Sequence, residues 1–282
     1  MFDETFRVCF ADTEFGVMLH QRIRYQVFCL DKKFEDPEAF SSARETDQWD
    51  DQSAHFIVQN KATQQWVAAT RLVLPTPDRP LPVDDLGVFD RAAMGMQDTL
   101  VGEISRFCVI SNRSGLEVSS DLVPQPGSLA AWGIGAIGQK QQFEVTIGMM
   151  RAAGIYALKR GINICIMLVT DAFARLLRKL GVTLEQAGPA TEHRGMRTPY
   201  LVDMREAVVS MARKSPPVRK LFRRSKRAYV RISSIELGDT VDMVSEYTPD
   251  HSLFNETIFR ETVLLPAEKD SDLRVARVAS KA

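Results

Sequence analysis

Along residues 14–30, EFGVMLHQRIRYQVFCL, apolar side chains at Val17, Leu19, Ile23, Val27 and Leu30 recur among polar ones at helical spacing. This predicts an amphipathic helix with Arg24 and Phe28 one turn apart on one face. The period is lost over 31–51, an acidic stretch containing Pro37 that reads as a long loop, and loops of that length in a compact domain are commonly functional. Two strand-type runs follow at 54–59 and 65–74, joined by a turn-like 60–64, and predict an antiparallel hairpin that ends in the four prolines of 75–82. GEISRFCVI at 102–110 alternates imperfectly, as a strand with a local irregularity does. Residues 111–141 are rich in Ser, Gly and Pro and read as an inserted loop with a short helical piece near Ala130. Apolar positions Val145, Ile147, Met149, Met150, Ala153, Tyr156 and Ala157 predict a buried helix over 143–159, with Gly161 as its C-terminal cap. NICIMLVT at 163–170 is a buried-strand run; Asp171 is placed to cap the helix over 172–180, which Gly181 closes, and 182–186 and 200–203 supply two further strands. This order of elements gives an α/β fold of the mixed α+β kind, with helices covering a central sheet.

Composition narrows this reading. With 282 residues, 45% apolar and 26% charged, the chain can bury a substantial core. The formal net charge of zero gives no whole-molecule attraction for polyanions. The charge is uneven, however: 213–231 holds Arg213, Lys214, Arg219, Lys220, Arg223, Arg224, Lys226, Arg227 and Arg231 and no acid. The expected organisation is therefore a main domain over 1–210 and a basic extension over 211–282, whose last 15 or so residues read as a frayed tail. Cys9, Cys29, Cys108 and Cys165 are far apart without C-x-x-C spacing, as small buried hydrophobes of a reducing compartment are. No apolar run approaches the roughly 18 residues of a membrane span, and acids stand where a signal peptide has bases, so a cytoplasmic location is expected. No phosphate-binding glycine motif follows a predicted strand, which disfavours a doubly wound nucleotide-binding fold.

The candidate chemistry lies in the first 110 positions. E-T-D-Q-W-D places Glu45, Asp47 and Asp50 within six residues, while Arg71, Glu103 and Arg106 fall on predicted strands, where unpaired charge is costly. Such acids and arginines either pair to fix a loop over a cleft or bind a polar head group. The spacing does not fit a calcium loop, and no metal is expected. There is no G-x-S-x-G, and none of the four histidines is near Cys108 in the chain, so nothing calls for a serine or cysteine nucleophile.

The order R-x3-F, an aromatic at position 34, E-x-D-x-x-D, R-L-x-L-P and E-x-S-R-F, over residues 20–110, resembles the acyl-homoserine-lactone synthases and the long-chain N-acyl amino acid synthases. It looks most like the related acyltransferases associated with exosortase and PEP-CTERM sorting systems. H-R-G-M-R-T-P-Y at 193–200 is similar to a late segment of the N-acyl amino acid synthases. Phe34 stands where lactone synthases usually have Trp, and the 111–141 loop is longer than theirs, which turns the expected acceptor from S-adenosylmethionine toward an amino acid or other amine.

The resemblance implies a GNAT-like fold, a central, mostly antiparallel sheet splayed to admit a thioester. It implies transfer of a long-chain acyl group from acyl carrier protein, or less often coenzyme A, to an amine, with no covalently bound cofactor. Glu103 is then the candidate base, with Arg106 and Ser105 beside it on an irregular strand that can offer a backbone N–H to the oxyanion. Arg24 and Phe28 are expected in an N-terminal lid, and Phe34, Glu45, Asp47, Asp50 and Arg71 around the acceptor. His193 is a further substrate-contact candidate. The basic 213–231 run is the expected contact for an acidic carrier protein or for a membrane surface, and nucleic acid is not an expected partner.

Overall fold

In the computed structural model, which describes residues 2–112, 132–214, 216–222 and 228–236, the chain begins with one helical turn, α1 (Phe2–Thr5), and a strand, β1 (Phe6–Phe10). Neither was marked by the hydropathy pattern. Thr13 then opens α2 (Glu14–Tyr25) by accepting the Gly16 N–H at 3.1 Å, and the helix runs on into a π-helical turn, Gln26–Asp31. The wider turn shifts the helical phase, so Leu30, expected on the apolar face, is 45% exposed while Val27 and Cys29 stay buried. The 31–52 stretch is a loop with two single 3₁₀ turns, as expected.

The hairpin forms as β2 (Ser53–Asn60) and β3 (Trp66–Val73), followed by a short helix, α3 (Pro82–Asp85), and β4 (Val101–Val109). After these come α4 (Gln139–Lys159), β5 (Ile164–Val169) and α5 (Asp171–Leu180). Thr170, not Asp171, caps α5 by accepting the Phe173 N–H; Asp171 sits one step later, in the first turn. Gly181 closes that helix at φ 96°, a conformation open to glycine. Short strands β6 (Glu185–Gln186) and β7 (Thr191–Glu192) precede β8 (Met196–Asp203), then α6 (Met204–Lys214), α7 (Pro216–Phe222), β9 (Val230–Arg231) and α8 (Ile232–Glu236).

The strands join in one sheet in the order β6-β8-β5-β4-β3-β2-β1-β9, with β7 paired to β8. It is mostly antiparallel, β4–β5 and β1–β9 being the parallel pairs among the described residues. On one face α4 is buried along most of its length, and Tyr156 meets Phe10, Phe56 and Tyr229. On the other, Leu19 and Ile23 of α2 and Val27 of the π-helical turn pack on Cys9, Ile57, Ala69 and Cys108. A buried pair between Arg151 of α4 and Asp3, at 2.6 Å, ties the first turn of the chain to α4, and Arg151 also donates to the Leu221 carbonyl at 2.8 Å.

Two irregularities open the sheet. β4 pairs with β5 only where Val101, Gly102 and Glu103 meet Ile164, Cys165 and Ile166. Beyond that point β5 pairs with β8 alone and β4 with β3 alone, so the two parallel strands part at Glu103. In the β3–β4 ladder the register passes from Arg71–Ser105 to Ala69–Cys108, which leaves one extra residue on β4; Arg106 takes up this bulge at φ 50°. This is the splayed, mostly antiparallel sheet flanked by helices that the sequence resemblance implied.

The boundary expected at 210 falls inside α6, and β9 adds to β1 beyond it. Of the expected 111–141 insertion, Ile134 and Ile137 form bridges with Trp66 and Ser111, while 113–131, including the helical piece near Ala130, lies outside the described residues. So do Arg223, Arg224, Lys226 and Arg227 of the basic run and all of the second compact unit, Tyr247–Ala282.

Candidate active site

The acidic loop closes over the β3–β4 face through a network of three arginines and three carboxylates. Arg24, from α2, pairs with Glu45 and, at 2.5 Å, with Asp50. Arg71, from β3, holds Asp47 with both terminal nitrogens at 2.5 and 2.7 Å, reaches Asp50 at 2.7 Å, and donates its Nε to Ser105 Oγ at 3.1 Å. Arg106, raised by the bulge, meets Glu45 at 2.9 Å and Asp47 at 3.0 Å. Burial alone would lift the Asp47 carboxyl, but the Arg71 hydrogen bonds and the charges of Arg71, Arg106 and Arg24 outweigh it and bring it to about 2. Burial likewise opposes ionisation of Glu45, and Arg24 and Arg106 again prevail and lower its pKa. Arg24 is 0% exposed and anchors the network from α2.

Glu103 stands apart from this network. It lies at the point where β4 and β5 separate, its register partners are Val73 and Ile166, and it is 3% exposed. Its Oε2 accepts the Val83 N–H at 2.8 Å, and among the described residues no cation forms an ion pair with it. The proline-rich segment missed as a site element brings Leu81 and Val83 into the same apolar cluster as Val73, Val101 and Ile166. Burial there pushes the Glu103 carboxyl up to about 7, the Val83 hydrogen bond and the distant charges of Arg71 and Arg106 opposing it only in part. Such a group trades a proton near neutrality, as a general base must. Cys108, by contrast, is buried and its thiol is pushed up to about 12, which keeps it protonated and inert. Ser105 Oγ is engaged by Arg71 and, among the described residues, has no basic partner to activate it.

The remaining expected residues form the rim. Phe28 and Phe34 stack at 6.4 Å, with the Arg106 guanidinium 5.7 Å above Phe28 and the Arg197 guanidinium 5.6 Å above Phe34. His193 lies in the turn between β7 and β8, its Nε2 2.7 Å from Arg194, and burial followed by the nearby Arg194, Arg197 and Arg106 lowers it to about 4. Arg194 pairs with Glu35. Glu35, Arg194 and Arg197 were missed by sequence reasoning, although H-R-G-M-R displayed both arginines. His20 and His55 were missed as well. Their rings meet at 4.5 Å beneath the loop, bonded to the carbonyls of Thr70 and Asp50 at 3.2 and 2.9 Å, and burial holds both neutral at pH 7. Among the described residues no three His, Cys, Asp or Glu are grouped to hold a metal ion, and no helix is long and apolar enough to cross a membrane.

Residues 23–120, which carry this constellation up to and beyond the bulge, match the family model described as an acetyltransferase (GNAT) domain. The splayed sheet is GNAT-like. Among solved structures, TofI in a ternary complex with an inhibitor and MTA is 19% identical, with a TM-score of 0.51, over 76% of this chain and 99% of that one. BjaI, a CoA-dependent acyl-homoserine lactone synthase with SAM and isopentyl-CoA, is 16% identical, with a TM-score of 0.51, over 80% and 92%. FeeM, an N-acyl amino acid synthase from uncultured soil microbes, is 14% identical over 73% and 93%, with a TM-score of 0.44. No curated protein matches the chain. At these identities the likeness to TofI and BjaI is one of fold, and the chemistry here rests on this chain's own residues.

Proposed function

We propose that this protein is an N-acyltransferase that moves a long-chain fatty acyl group from an acyl carrier protein or coenzyme A thioester to the amine of an amino acid or similar small molecule. The observation that carries this reading is Glu103, a buried carboxyl without an ion-pair partner among the described residues, pushed up to about 7 where β4 and β5 part. An ammonium acceptor in the opening gives a proton to Glu103, directly or through water. The freed nitrogen attacks the thioester carbonyl, the C–N bond forms, the C–S bond breaks, and the sulfur leaves as the thiol. No β5 residue pairs with β4 from Ser105 to Val109, so backbone groups of the bulged strand on that side are available to the developing oxyanion. A cleft bordered by Lys32, Ser111, Asn112 and Gln139 opens at the N-terminus of α4, where the helix dipole suits a phosphate of the donor. The bases of 213–231 are the proposed contact for an acidic carrier protein. The test is incubation with long-chain acyl carrier protein or acyl-CoA and pooled amino acids, following thiol release and product mass. An N-acyl amino acid supports the reading; thioester left intact with every amine refutes it; a lactone formed from S-adenosylmethionine replaces the acceptor.

A further inference from the structure

The ion pairs around the site leave one arginine without a partner among the described residues. Arg24, Arg71 and Arg106 are matched by Glu45, Asp47 and Asp50, and Arg194 by Glu35. Arg197 is left over. Among the described residues it forms no ion pair, its NH2 makes only a long 3.4 Å bond to the Arg194 carbonyl, and its Nε is buried without a hydrogen-bond partner. Its charged neighbours Arg194 and Arg106 both repel it, and burial with this repulsion lowers its pKa. An arginine carries donors in a fixed fork, and leaving one of them buried and unmet is costly unless a ligand supplies the acceptor.

The surroundings are built to hold this cation in place. β7 and β8 pair Thr191 with Arg197 and Glu192 with Met196, and the turn between them is closed by Arg194 at φ 53° and Gly195 at φ 91°. A non-glycine residue held in the left-handed region is a local cost that a functional position can explain. Gly195 N–H donates to Glu192 at 2.9 Å, which stiffens the turn. The Arg197 guanidinium lies on the Phe34 ring, itself stacked on Phe28 beneath Arg106, and Glu35 stands between Arg194 and Arg106, 4.0 Å from the latter. Arg106 is the cation whose charge reaches both this hairpin and Glu103.

We infer that the β7–β8 hairpin carries a carboxylate-binding subsite, in which Arg197, assisted by Arg194 and Arg106, takes the carboxylate of the acceptor while the acceptor's amine faces Glu103. The inference rests on the acyltransferase reading and sharpens it to α-amino acids or other amino acids, excluding plain amines. One unmatched cation suits one carboxylate, and the flat guanidinium fork suits its two oxygens. The stacked Phe28 and Phe34 rings give an apolar floor for the rest of the acceptor.

The test compares glycine, leucine, glutamine, tyrosine and arginine, each beside its amide and its decarboxylated amine, in wild type, Arg197→Gln and Arg197→Lys. Wild type should prefer the best amino acid over its amide by roughly 30-fold in kcat/KM, as expected for a charge-assisted contact. Arg197→Gln should erase most of that ratio through KM, and Arg197→Lys should restore part of it. Calorimetric titration of the same acceptors into the protein without donor reads the subsite independently of turnover. Activity without discrimination between acid and amide, unchanged by Arg197→Gln, overturns the subsite and leaves the acyltransferase intact. A rise in donor KM with acceptor KM unmoved assigns Arg197 to a donor phosphate and also overturns it. If no thioester is consumed, carboxylate-dependent binding lost in Arg197→Gln still supports the subsite, and its absence refutes it. Thermal unfolding of each variant identifies any that has failed to fold, and Arg197→Lys then decides.

Discussion

Glu103→Gln removes the titrating carboxyl while keeping an oxygen able to accept the Val83 N–H. The wild-type side chain goes from an ordinary 4.5 in the unfolded chain to about 7 in the fold. The folded state therefore keeps a proton that the unfolded state releases between these values. The contribution of the neutral carboxyl to stability is full below pH 4.5 and is lost as pH rises through about 7. A shift of this size corresponds to about 3 kcal/mol. Glutamine does not titrate, so the stability of the variant relative to wild type should improve by about 3 kcal/mol between pH 4.5 and pH 8, or roughly 6–12 °C in melting temperature for a domain of this size. Urea and thermal unfolding at the two pH values measure it, because every other titrating group is common to both proteins. In activity, wild-type kcat/KM should rise with pH through about 7, and Glu103→Gln should lose on the order of 10²–10⁴-fold and this limb with it. A stability difference that does not change with pH would show that burial does not raise this carboxyl, and turnover equal to wild type would remove Glu103 from the chemistry.

Three other substitutions probe the frame. Arg71→Ala leaves Asp47 and Asp50 short of a buried partner and should cost about 3–5 kcal/mol in urea unfolding; Arg71→Lys should rescue little, since one ammonium cannot hold Asp47, Asp50 and Ser105 together. Asp47→Asn removes a carboxylate held at about 2 against an ordinary 3.8, whose stabilisation is present above pH 3.8 and lost as pH falls toward 2. The variant should lose about 2 kcal/mol at pH 7 and almost nothing near pH 2, and by freeing Arg71 it should move the pH–rate limb of Glu103 to lower pH. Gly148→Ala would set a Cβ 2.3 Å from the Phe2 ring and should destabilise by about 1–3 kcal/mol, an effect that the Gly148→Ala/Phe2→Ala pair should fail to add to Phe2→Ala alone.

Much of the fold was legible because its elements carry their period in their own residues. The buried α4 and the β2–β3 hairpin are of this kind. FRVCF at 6–10 is not: five residues with no clear alternation acquire meaning only by pairing with β2. Thr170 and Asp171 are adjacent and both able to cap, and only the backbone turn decides between them. The site charges were legible for a different reason, that buried charge must find a partner, and this singled out Arg24, Glu45, Asp47, Asp50, Arg71, Glu103 and Arg106. Which carboxylate meets which arginine depends on contacts between α2, the loop, β3 and β4, and no local spacing encodes that. Arg194 and Arg197 escaped because a polar turn excuses its charges as solvated; only the structure shows that Arg197 is partly covered and, among the described residues, unmatched.

The same pairing explains why Glu103 remains available. Arg71 and Arg106 lie close enough to draw its pKa down, yet burial outweighs both. They are already committed, Arg71 to Asp47 and Asp50, Arg106 to Glu45 and Asp47. Without the acidic loop, either guanidinium would gain by turning toward Glu103, which would then be ionised, paired and useless as a base at neutral pH. The loop acids therefore do more than fix a loop. By engaging Arg71 and Arg106 they let an apolar pocket set the affinity of Glu103 for its proton, while Arg197, which forms no ion pair among the described residues, lies over Phe34 at the rim.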